Sequence, residues 1–335
     1  MAETMRAIGS FDGLPVSDER CLVDVELPVP QLRSQDVLVR VQAVSVNPVD
    51  VKMRATSDPG GEPKILGYDA AGVVQATGSE VTLFSPGDEV YYAGTINRPG
   101  TDAQFHVVDE RIAGRKPRGL TFAQAAALPL TTITAWETLF DRFRLTPESS
   151  GVLVVLGAAG GVGSMVTQLT RALTRLVVIG TASRPESQQW VLDQGAQHVI
   201  DHHDLVGGVR GITPDGVTHV FSAHTAGSID DFAEILRPAG AITAIDDPEG
   251  LDIVPLKNKS ITFHWEFMFT RPLYQPPDMV EQHQLLDRVA ELVDEGTIRT
   301  TLTKELSPIS AATLREAHAM VEQGRMVGKV VVSGW

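Results

Sequence analysis

The stretch Val152-Leu153-Val154-Val155-Leu156-Gly157-Ala158-Ala159-Gly160-Gly161-Val162-Gly163 decides the fold of this 335-residue chain. Its first five residues form an apolar run, which is typical of a strand buried on both faces. A glycine-rich loop follows at once, and a helical pattern begins near its end. In that context the loop and the helix N-terminus offer backbone N–H groups and a partial positive charge to a pyrophosphate. The stretch therefore predicts a dinucleotide-binding unit, with a glycine-rich turn that holds no ligand as the alternative.

Strands and helices alternate on the C-terminal side of this stretch. Apolar strand candidates lie at 176–179, 199–200, 219–221, 241–245 and 261–263, and helix candidates lie at 162–173, 185–194 and 228–236. Such alternation predicts a parallel sheet covered on both faces, which is the doubly wound Rossmann arrangement. We place this domain at residues 126–267.

The first 120 residues have a different character. Short β-branched runs such as 37–41 and 71–74 are separated by glycine and proline turns, which indicates a compact β-barrel. Further helices are predicted at 134–143, 276–295 and 311–323, with a last strand at 330–332. We expect the C-terminal segment to return to the barrel, so that one domain consists of residues 1–125 and 268–335. The fold class is therefore α/β with two domains.

The second strand of the predicted sheet bears on the choice of cofactor. It ends Val178-Ile179-Gly180-Thr181-Ala182-Ser183-Arg184 and lacks the acidic residue with which NAD-binding proteins accept from the ribose 2′-hydroxyl. Ser183 can donate to a 2′-phosphate, and Arg184 can pair with it through its guanidinium group. We therefore predict NADP(H) as the cofactor. The alternative is that Arg184 is only a solvated residue at a helix start.

Composition excludes several other classes of protein. The net charge is −14 and no cluster of Lys and Arg stands out, so we expect neither a nucleic-acid partner nor an anionic membrane surface. The single cysteine, Cys21, cannot form an internal disulfide or a four-cysteine zinc site. The chain shows no long apolar run and no signal peptide, so we expect a cytoplasmic protein that acts on a small molecule.

Several stretches outside the glycine loop carry a family resemblance. In chain order they are Ser45-Val46-Asn47-Pro48-Val49-Asp50, Leu66-Gly67-Tyr68-Asp69-Ala70-Ala71-Gly72-Val73, Pro86-Gly87-Asp88-Glu89-Val90, Ala126-Ala127-Leu128-Pro129-Leu130-Thr131 with Thr134-Ala135-Trp136, and Gly328-Lys329-Val330-Val331-Val332. Over essentially the whole chain they resemble the medium-chain dehydrogenase/reductase family, in its quinone oxidoreductase or zeta-crystallin-like branch. The most similar subgroup is labelled zinc-type alcohol dehydrogenase-like. The resemblance implies a GroES-like substrate domain, a Rossmann domain and a nicotinamide held between them.

The family label suggests zinc, but the residues argue against it. Relatives with a catalytic zinc carry Cys at the position of Asn47, and they carry Gly-His-Glu where this chain has Gly67-Tyr68-Asp69. Thiolate and imidazole are the usual zinc ligands, whereas amide and phenol groups are not. We therefore predict no metal. Asn47 and Tyr68 are instead the predicted catalytic residues, because both can donate to the oxygen that becomes negative when hydride reaches a quinone or an enone, and Tyr68 can also protonate it.

Some neighbouring residues stay open as candidates. Tyr91 and Tyr92 are further candidates for the pocket wall, with packing as the alternative, and Asp50 is expected to cap a local turn. The string Asp201-His202-His203-Asp204 also looks metal-like. If it continues the third strand, neighbouring side chains point to opposite faces and make a poor pair of ligands. We expect His202 near the adenosine of the cofactor instead.

The resemblance implies the remaining cofactor contacts. It places Thr131 and Thr134 near the nicotinamide, and the segment Ala223-His224-Thr225 against the nicotinamide ribose. The backbone of Phe267-Met268-Phe269 would meet the carboxamide, and Lys329 would approach from the returning C-terminal segment. Family members often pair through this edge of the Rossmann sheet, so a homodimer is expected.

The function predicted from these residues is hydride transfer from NADPH to a quinone or an α,β-unsaturated carbonyl without zinc. Two alternatives stay open. One is a zinc-dependent alcohol dehydrogenase. The other is an NADPH-binding protein with little turnover, a sensor or a structural protein, because an intact nucleotide loop indicates binding and not catalysis.

Overall fold

The computed structural model describes residues 3–58 and 60–335. They form two compact units. The first unit contains the chain through Ile133 and again from Phe269 to Trp335, and the second contains Thr134–Met268. The domain limits predicted above, at 125/126 and 267/268, stay a prediction. No helix in the described part of the chain is long and apolar enough to cross a bilayer.

The first unit begins with short strands, of which β2, β3 and β7 contain several valines and alternate between more and less buried side chains. The strands are β1 Thr4–Ser10, β2 Val23–Pro28, β3 Asp36–Ser45, β4 Lys64–Ile65, β5 Ala70–Thr77, β6 Glu89–Tyr92, β7 Phe105–Asp109 and β8 Ala113–Arg115. Helix α1 (Pro48–Ala55) follows β3, and helix α2 (Phe122–Ala126) follows β8. In β3, Val37, Val39 and Val41 are fully buried while Arg40 is exposed, which is the period of two expected for a strand with one face on the core.

The second unit begins within helix α3. Its elements are α3 Pro129–Trp136, β9 Ser150–Val155, α4 Gly161–Leu173, β10 Arg175–Thr181, α5 Pro185–Asp193, β11 His198–Ile200, α6 Leu205–Ile212, β12 Val217–Ser222, α7 Ile229–Ile235, β13 Leu236–Ala244 and β14 Thr262–Trp265. All neighbouring strands pair in parallel, in the order β11-β10-β9-β12-β13-β14. Numbered from β9, this order is 3-2-1-4-5-6, the dinucleotide-binding Rossmann order. The predicted α/β class is confirmed.

The C-terminal segment returns to the first unit. It contains α8 Thr270–Tyr274, α9 Glu281–Asp294, β15 Leu302–Leu306, α10 Ala311–Glu322 and β16 Lys329–Ser333. Strand β16 pairs antiparallel with β3, so that Val331 lies opposite Ser45. This pairing carries Lys329 to the end of β3, close to the start of α1.

The structure differs from the predicted elements in several places, and helices α1 and α8 and strand β15 are among the elements that were not predicted. The helix predicted at 134–143 begins at Pro129 and changes into a π-helical turn at Glu137–Arg142. Helix α6 was not predicted. The string after β11 does not continue the strand, because a 3₁₀ turn begins at His202. The Asp201 carboxylate caps that turn by accepting a hydrogen bond of 3.0 Å from the His203 N–H.

Candidate functional site

The glycine loop joins β9 to α4 with little room for side chains. Gly157 has a φ of +71°, in the left-handed region that favours glycine. A Cβ on Gly163 would lie 2.6 Å from the Ala158 Cα, so that only glycine lets the helix start this close to the strand. Helix α4 begins after Gly160, and the N–H groups of its first turn have no acceptor within the helix. The loop can therefore receive a phosphate, as the sequence predicts.

The segment after β12 lies beside this loop. The Ala223 Cβ is 3.3 Å, and the His224 ring 3.7 Å, from the point that a Gly157 Cβ would occupy. Thr225 is buried, and its hydroxyl donates to Asp246 at 2.6 Å, while its N–H donates to the other oxygen of the same carboxylate. Asp246, which no sequence pattern singles out, thus fixes the segment that bears these predicted cofactor contacts.

The end of β10 presents the residues on which the cofactor preference depends. Ser183 and Arg184 are exposed directly after the strand, and Arg184 caps α5. Glu186 lies in the first turn of α5, beyond the strand end. The Thr181 hydroxyl accepts from the Gly157 N–H at 3.2 Å, which joins this strand end to the glycine loop.

His202 lies in the 3₁₀ turn after β11, with its side chain half exposed. The His202 and His203 rings stand 4.0 Å apart, and Asp201 Oδ1 lies 2.8 Å from His203 Nδ1. The two imidazoles therefore share one side of the chain, and the expectation that they point to opposite faces is wrong. That expectation assumed that the strand continues through the histidines, whereas β11 ends at Ile200.

In the first unit, Asn47 precedes α1 and is buried. Its Nδ2 donates to Asp69 Oδ2 at 2.8 Å and to the Ser45 carbonyl at 3.4 Å, while its Oδ1 accepts from Lys329 Nζ at 2.5 Å. Both amide protons are thus directed at protein acceptors. In this arrangement Asn47 orients charged neighbours and has no free proton for the oxygen of an acceptor molecule.

Asp69 joins three segments of the first unit. Its Oδ2 meets Asn47 and lies 3.4 Å from Lys329 Nζ, and its Oδ1 accepts from the Leu130 N–H at 2.7 Å, near the start of α3. A carboxylate at a helix N-terminus is favourable. The same helix carries Thr131, which is buried and whose hydroxyl donates to the Leu128 carbonyl at 2.9 Å. No role was predicted for Asp69, which enters the sequence comparison only as part of Gly67-Tyr68-Asp69.

Asp50 forms a capping box with Asn47 at the start of α1. The sequence predicts Asp50 as the cap of a local turn. Its Oδ2 accepts from the Asn47 N–H at 2.7 Å, and its Oδ1 accepts from the Gly67 N–H at 3.1 Å. Burial raises the pKa of Asp50 to about 7 and that of Asp69 to about 6, while burial lowers the pKa of Lys329. Asp69 and Lys329 form an ion pair by their geometry, with 3.4 Å between Oδ2 and Nζ, and Asp50 is partly protonated near neutral pH.

Tyr68 lies next to this group with 1% of its surface exposed. Its ring packs edge-on against Phe269, with centroids 5.5 Å apart. Burial, followed by the Asp50 and Asp102 carboxyls, raises the pKa of Tyr68, so the phenol keeps its proton. Within residues 3–58 and 60–335 no protein group hydrogen-bonds to this hydroxyl. Tyr68 therefore retains a donor for a bound molecule.

The two other candidate tyrosines have partners elsewhere. Tyr91 donates to the Leu286 carbonyl at 2.6 Å, and the Tyr92 hydroxyl lies 3.2 Å from His106 Nδ1. Both are fully buried in β6. Their hydroxyls belong to the packing of the barrel, so that the packing alternative is correct for both.

The predicted carboxamide segment follows β14. The Glu266 N–H donates to the Ala244 carbonyl at 3.0 Å, which extends the strand to the edge of Phe267-Met268-Phe269. Met268 is buried and Phe267 is 47% exposed. Thr134, the other predicted nicotinamide contact, is buried in α3.

The side chains around Asn47 do not suit zinc. A zinc site needs thiolate, imidazole or carboxylate ligands with free lone pairs. Here the Asp69 carboxylate already faces the Lys329 ammonium, Tyr68 stays protonated, and Cys21 is buried in the core of the barrel. An ammonium group fixed beside the carboxylate would repel a second cation.

Fold and site together define a two-unit dehydrogenase with a GroES-like barrel and a Rossmann sheet. Comparisons agree with that class. The protein-family model named alcohol dehydrogenase GroES-like domain matches residues 33–137, and the one named zinc-binding dehydrogenase matches residues 194–332. A zinc-type alcohol dehydrogenase-like protein of Staphylococcus aureus is 40% identical over 98% of this chain and 100% of its own length. The chain therefore belongs to the medium-chain dehydrogenase/reductase family, among the zinc-type alcohol dehydrogenase-like proteins.

Two further relatives indicate the class of reaction. A crystal structure of a putative zinc-dependent alcohol dehydrogenase protein from Rhizobium etli is 50% identical, covers 100% of this chain and 99% of its own, and superposes with a TM-score of 0.97. More distantly, a chloroplastic NADPH-dependent alkenal/one oxidoreductase of Arabidopsis thaliana is 29% identical over 92% of this chain and 75% of its own length. The protein is thus an oxidoreductase of a family whose fold takes a pyridine nucleotide.

Proposed function

We propose that this protein is a metal-free, NADPH-dependent oxidoreductase that transfers hydride to a quinone or an α,β-unsaturated carbonyl. The observation that carries the proposal is the buried Lys329 ammonium, which lies between the Asn47 amide oxygen and the Asp69 carboxylate. Asn47, and Tyr68 beside Asp69, stand where the resemblance places metal ligands in zinc-dependent relatives. A protein cation already neutralises the carboxylate there, which favours a reductase over a zinc-dependent alcohol dehydrogenase.

The proposed cofactor is NADP(H). Ser183 and Arg184 are exposed beyond the end of β10, where the adenosine ribose of the cofactor would bind. No carboxylate lies between Thr181 and Arg184 to accept a hydrogen bond from a free 2′-hydroxyl. The glycine loop would hold the pyrophosphate, and His202 would meet the adenosine. Ala223, His224 and Thr225 would hold the nicotinamide ribose. Thr131, Thr134 and the backbone of residues 267–269 would orient the ring, and Lys329 would approach it. The name of the alkenal/one oxidoreductase relative supports the same cofactor.

Tyr68 has the central chemical role in this proposal. NADPH supplies the hydride. When the hydride adds to the β-carbon of an enone, the electron pair of the double bond moves to the carbonyl oxygen and an enolate forms. The Tyr68 hydroxyl donates a hydrogen bond to that oxygen, since its proton is not committed to a protein acceptor. Asn47, Asp69 and Lys329 hold the surrounding backbone in place through hydrogen bonds to the Ser45 carbonyl, the Leu130 N–H and the Val46 carbonyl.

The proposal is tested by following NADPH absorbance with purified protein and a panel of quinones, enones, saturated aldehydes and, with NADP⁺, alcohols. We expect oxidation of NADPH with quinones or enones, and a loss of about tenfold or more in kcat for Tyr68→Phe. Phe140→Tyr in the second unit serves as a control substitution of similar size. Turnover of alcohols alone, or tight NADPH binding without turnover of any acceptor, would contradict the proposal.

We also propose a homodimer formed through the free edge of the Rossmann sheet. Strand β14 ends that sheet, and the exposed Trp265 and Phe267 lie at or just beyond its last residue. An exposed strand edge with large apolar side chains favours pairing with a second copy. Sedimentation should give a dimer for the native chain and a shift toward monomer for Trp265→Asp. A native monomer at all concentrations would refute the dimer.

A further inference from the structure

Asp102 is a buried carboxyl beside Tyr68 that the proposed reaction does not yet use. It is 2% exposed. Its N–H donates to the Leu66 carbonyl at 2.9 Å, and its own carbonyl accepts from the Ile8 N–H at 2.8 Å, which fixes the backbone on both sides. Asp102 Oδ1 lies 2.7 Å from the point where Gly67 would carry a Cβ. The carboxyl thus packs against the residue that immediately precedes Tyr68.

Asp102 differs from the neighbouring acids in its lack of donors. Asp50 accepts two backbone N–H groups, and Asp69 accepts two hydrogen bonds and faces Lys329. In the described ranges 3–58 and 60–335, no donor reaches either side-chain oxygen of Asp102. A buried carboxylate without donors is strongly disfavoured relative to the neutral acid. Burial, with the nearby Asp50, accordingly raises the pKa of Asp102 well above its ordinary value.

We propose that Asp102 is a positioning residue that must stay a neutral carboxylic acid for the reduction to proceed, and that its ionisation slows the reaction at alkaline pH. The inference rests on the proposed reductase function. While Asp102 is neutral, no charge from it opposes the negative charge that grows on the acceptor oxygen beside Tyr68. Once its proton leaves to solvent, a second carboxylate acts with Asp50 on the same hydroxyl and destabilises the enolate.

The other titrating groups around Tyr68 must be separated from Asp102. Asp50 lies on α1, Asp69 follows Tyr68 in the chain, and Lys329 begins β16. All three are retained in Asp102→Asn, whose amide has the shape of the neutral acid and carries no charge. A difference between the pH profiles of the two proteins therefore reports on Asp102 alone.

The test measures kcat and kcat/KM for an enone with NADPH from pH 6 to pH 10. At pH 6, we expect Asp102→Asn to lie within about threefold of the wild type. At high pH, kcat of the wild type should fall by about tenfold or more beyond any decrease that Asp102→Asn shows, as expected for one additional charge near the reacting oxygen. Ionisation of Asp50, which both proteins retain, contributes to both profiles. Asp12→Asn, which changes an exposed carboxyl of the same unit, should keep the wild-type profile. Parallel alkaline losses in wild type and Asp102→Asn, or an inactive Asp102→Asn with an unchanged circular dichroism spectrum, would overturn the proposal.

An infrared spectrum tests the protonation without turnover. At pH 7 the wild type should show a carbonyl band of a protonated carboxyl that ¹³C labelling of aspartate shifts and that Asp102→Asn removes. If Asp102→Asn does not fold, the band must be present in labelled Asp50→Asn, because Asp50 is itself partly protonated at pH 7, and it must disappear on titration to pH 10. Absence of the band would overturn the inference. If the band is present but no acceptor is reduced, then the reductase function fails, and the role of Asp102 in reduction fails with it.

Discussion

Lys329 Nζ lies 3.4 Å from Asp69 Oδ2, and both side chains are buried. The two residues come from strands that meet only because β16 returns to β3. A buried pair of this kind adds little net stability, but the loss of one member leaves an unpaired charge, which is costly. The stability of the segment around Asn47 and Asp69 therefore depends on the C-terminal strand β16, which carries Lys329.

Replacement of Lys329 should show this dependence. In Lys329→Met, the Asp69 carboxylate keeps Asn47 and the Leu130 N–H but loses its cation, so we expect a loss of about 3–5 kcal/mol in the free energy of unfolding. Urea denaturation at pH 7 measures it. Lys304→Met, which changes an exposed lysine of β15, should cost less than about 0.5 kcal/mol.

The double variant Lys329→Met with Asp69→Asn removes both charges. It should be more stable than Lys329→Met alone, because no unpaired charge remains. A double variant that is less stable than either single variant would show that the two residues do not act as a pair.

Arg184 should discriminate between the two nicotinamide cofactors. Arg184→Ala removes the guanidinium proposed to pair with the 2′-phosphate, so the Kd for NADPH should rise by about tenfold or more while that for NADH changes little. Arg175→Ala lies at the opposite end of the same strand and is the matched control. Isothermal titration of the wild type and the two variants with each of the two cofactors gives the comparison. Equal effects of Arg184→Ala on both cofactors would show that Arg184 does not contact the 2′-phosphate.

Gly163 should tolerate no side chain. In Gly163→Ala the new Cβ would lie 2.6 Å from the Ala158 Cα, so that the helix must move away from the strand and the phosphate site must deform. We expect NADPH binding to weaken by at least about tenfold, together with a loss of stability. Gly211→Ala in α6 meets no atom within 4 Å and should leave binding unchanged. Similar binding by the two variants would contradict this account of the loop.

Stability should depend on pH through Asp50. Its pKa in the folded chain is about 7, above its ordinary value of 3.8, so the folded state holds the proton more tightly. The stabilisation from this group is complete below pH 4 and is lost as the pH rises through about 7, with a slope of up to about 1.4 kcal/mol per pH unit. The free energy of unfolding of Asp50→Asn, measured by urea denaturation, should therefore increase relative to that of the wild type between pH 5 and pH 8. A constant difference between the two proteins over that range would refute the raised pKa.

The Rossmann unit could be read from the sequence because its signals are local. The apolar run before Gly157 and the acid-free end of β10 lie within their own elements. Helix α6 was missed because Gly207, Gly208 and Gly211 lower its helix propensity. Packing of Leu205 and Val209 into the core stabilises it instead.

The site was predictable only in part. Motifs placed Asn47 and Tyr68, but the partner of Asn47 lies 282 residues along the chain, and no local pattern encodes that pairing. One signal was available for the tyrosines. Tyr91 and Tyr92 are consecutive in a strand, so their side chains point to opposite faces and at most one could have lined a single pocket. Asp102 could not be singled out, because its importance comes from the absence of donors around it.

The central claim is hydride transfer without a metal, and one measurement tests it most directly. Purified protein, dialysed against a chelator, is analysed for zinc and then assayed for NADPH oxidation with the best quinone or enone. We predict far less than one zinc per chain and an unchanged kcat after chelation. Stoichiometric zinc, with activity that disappears on chelation and returns when zinc is added, would contradict the account.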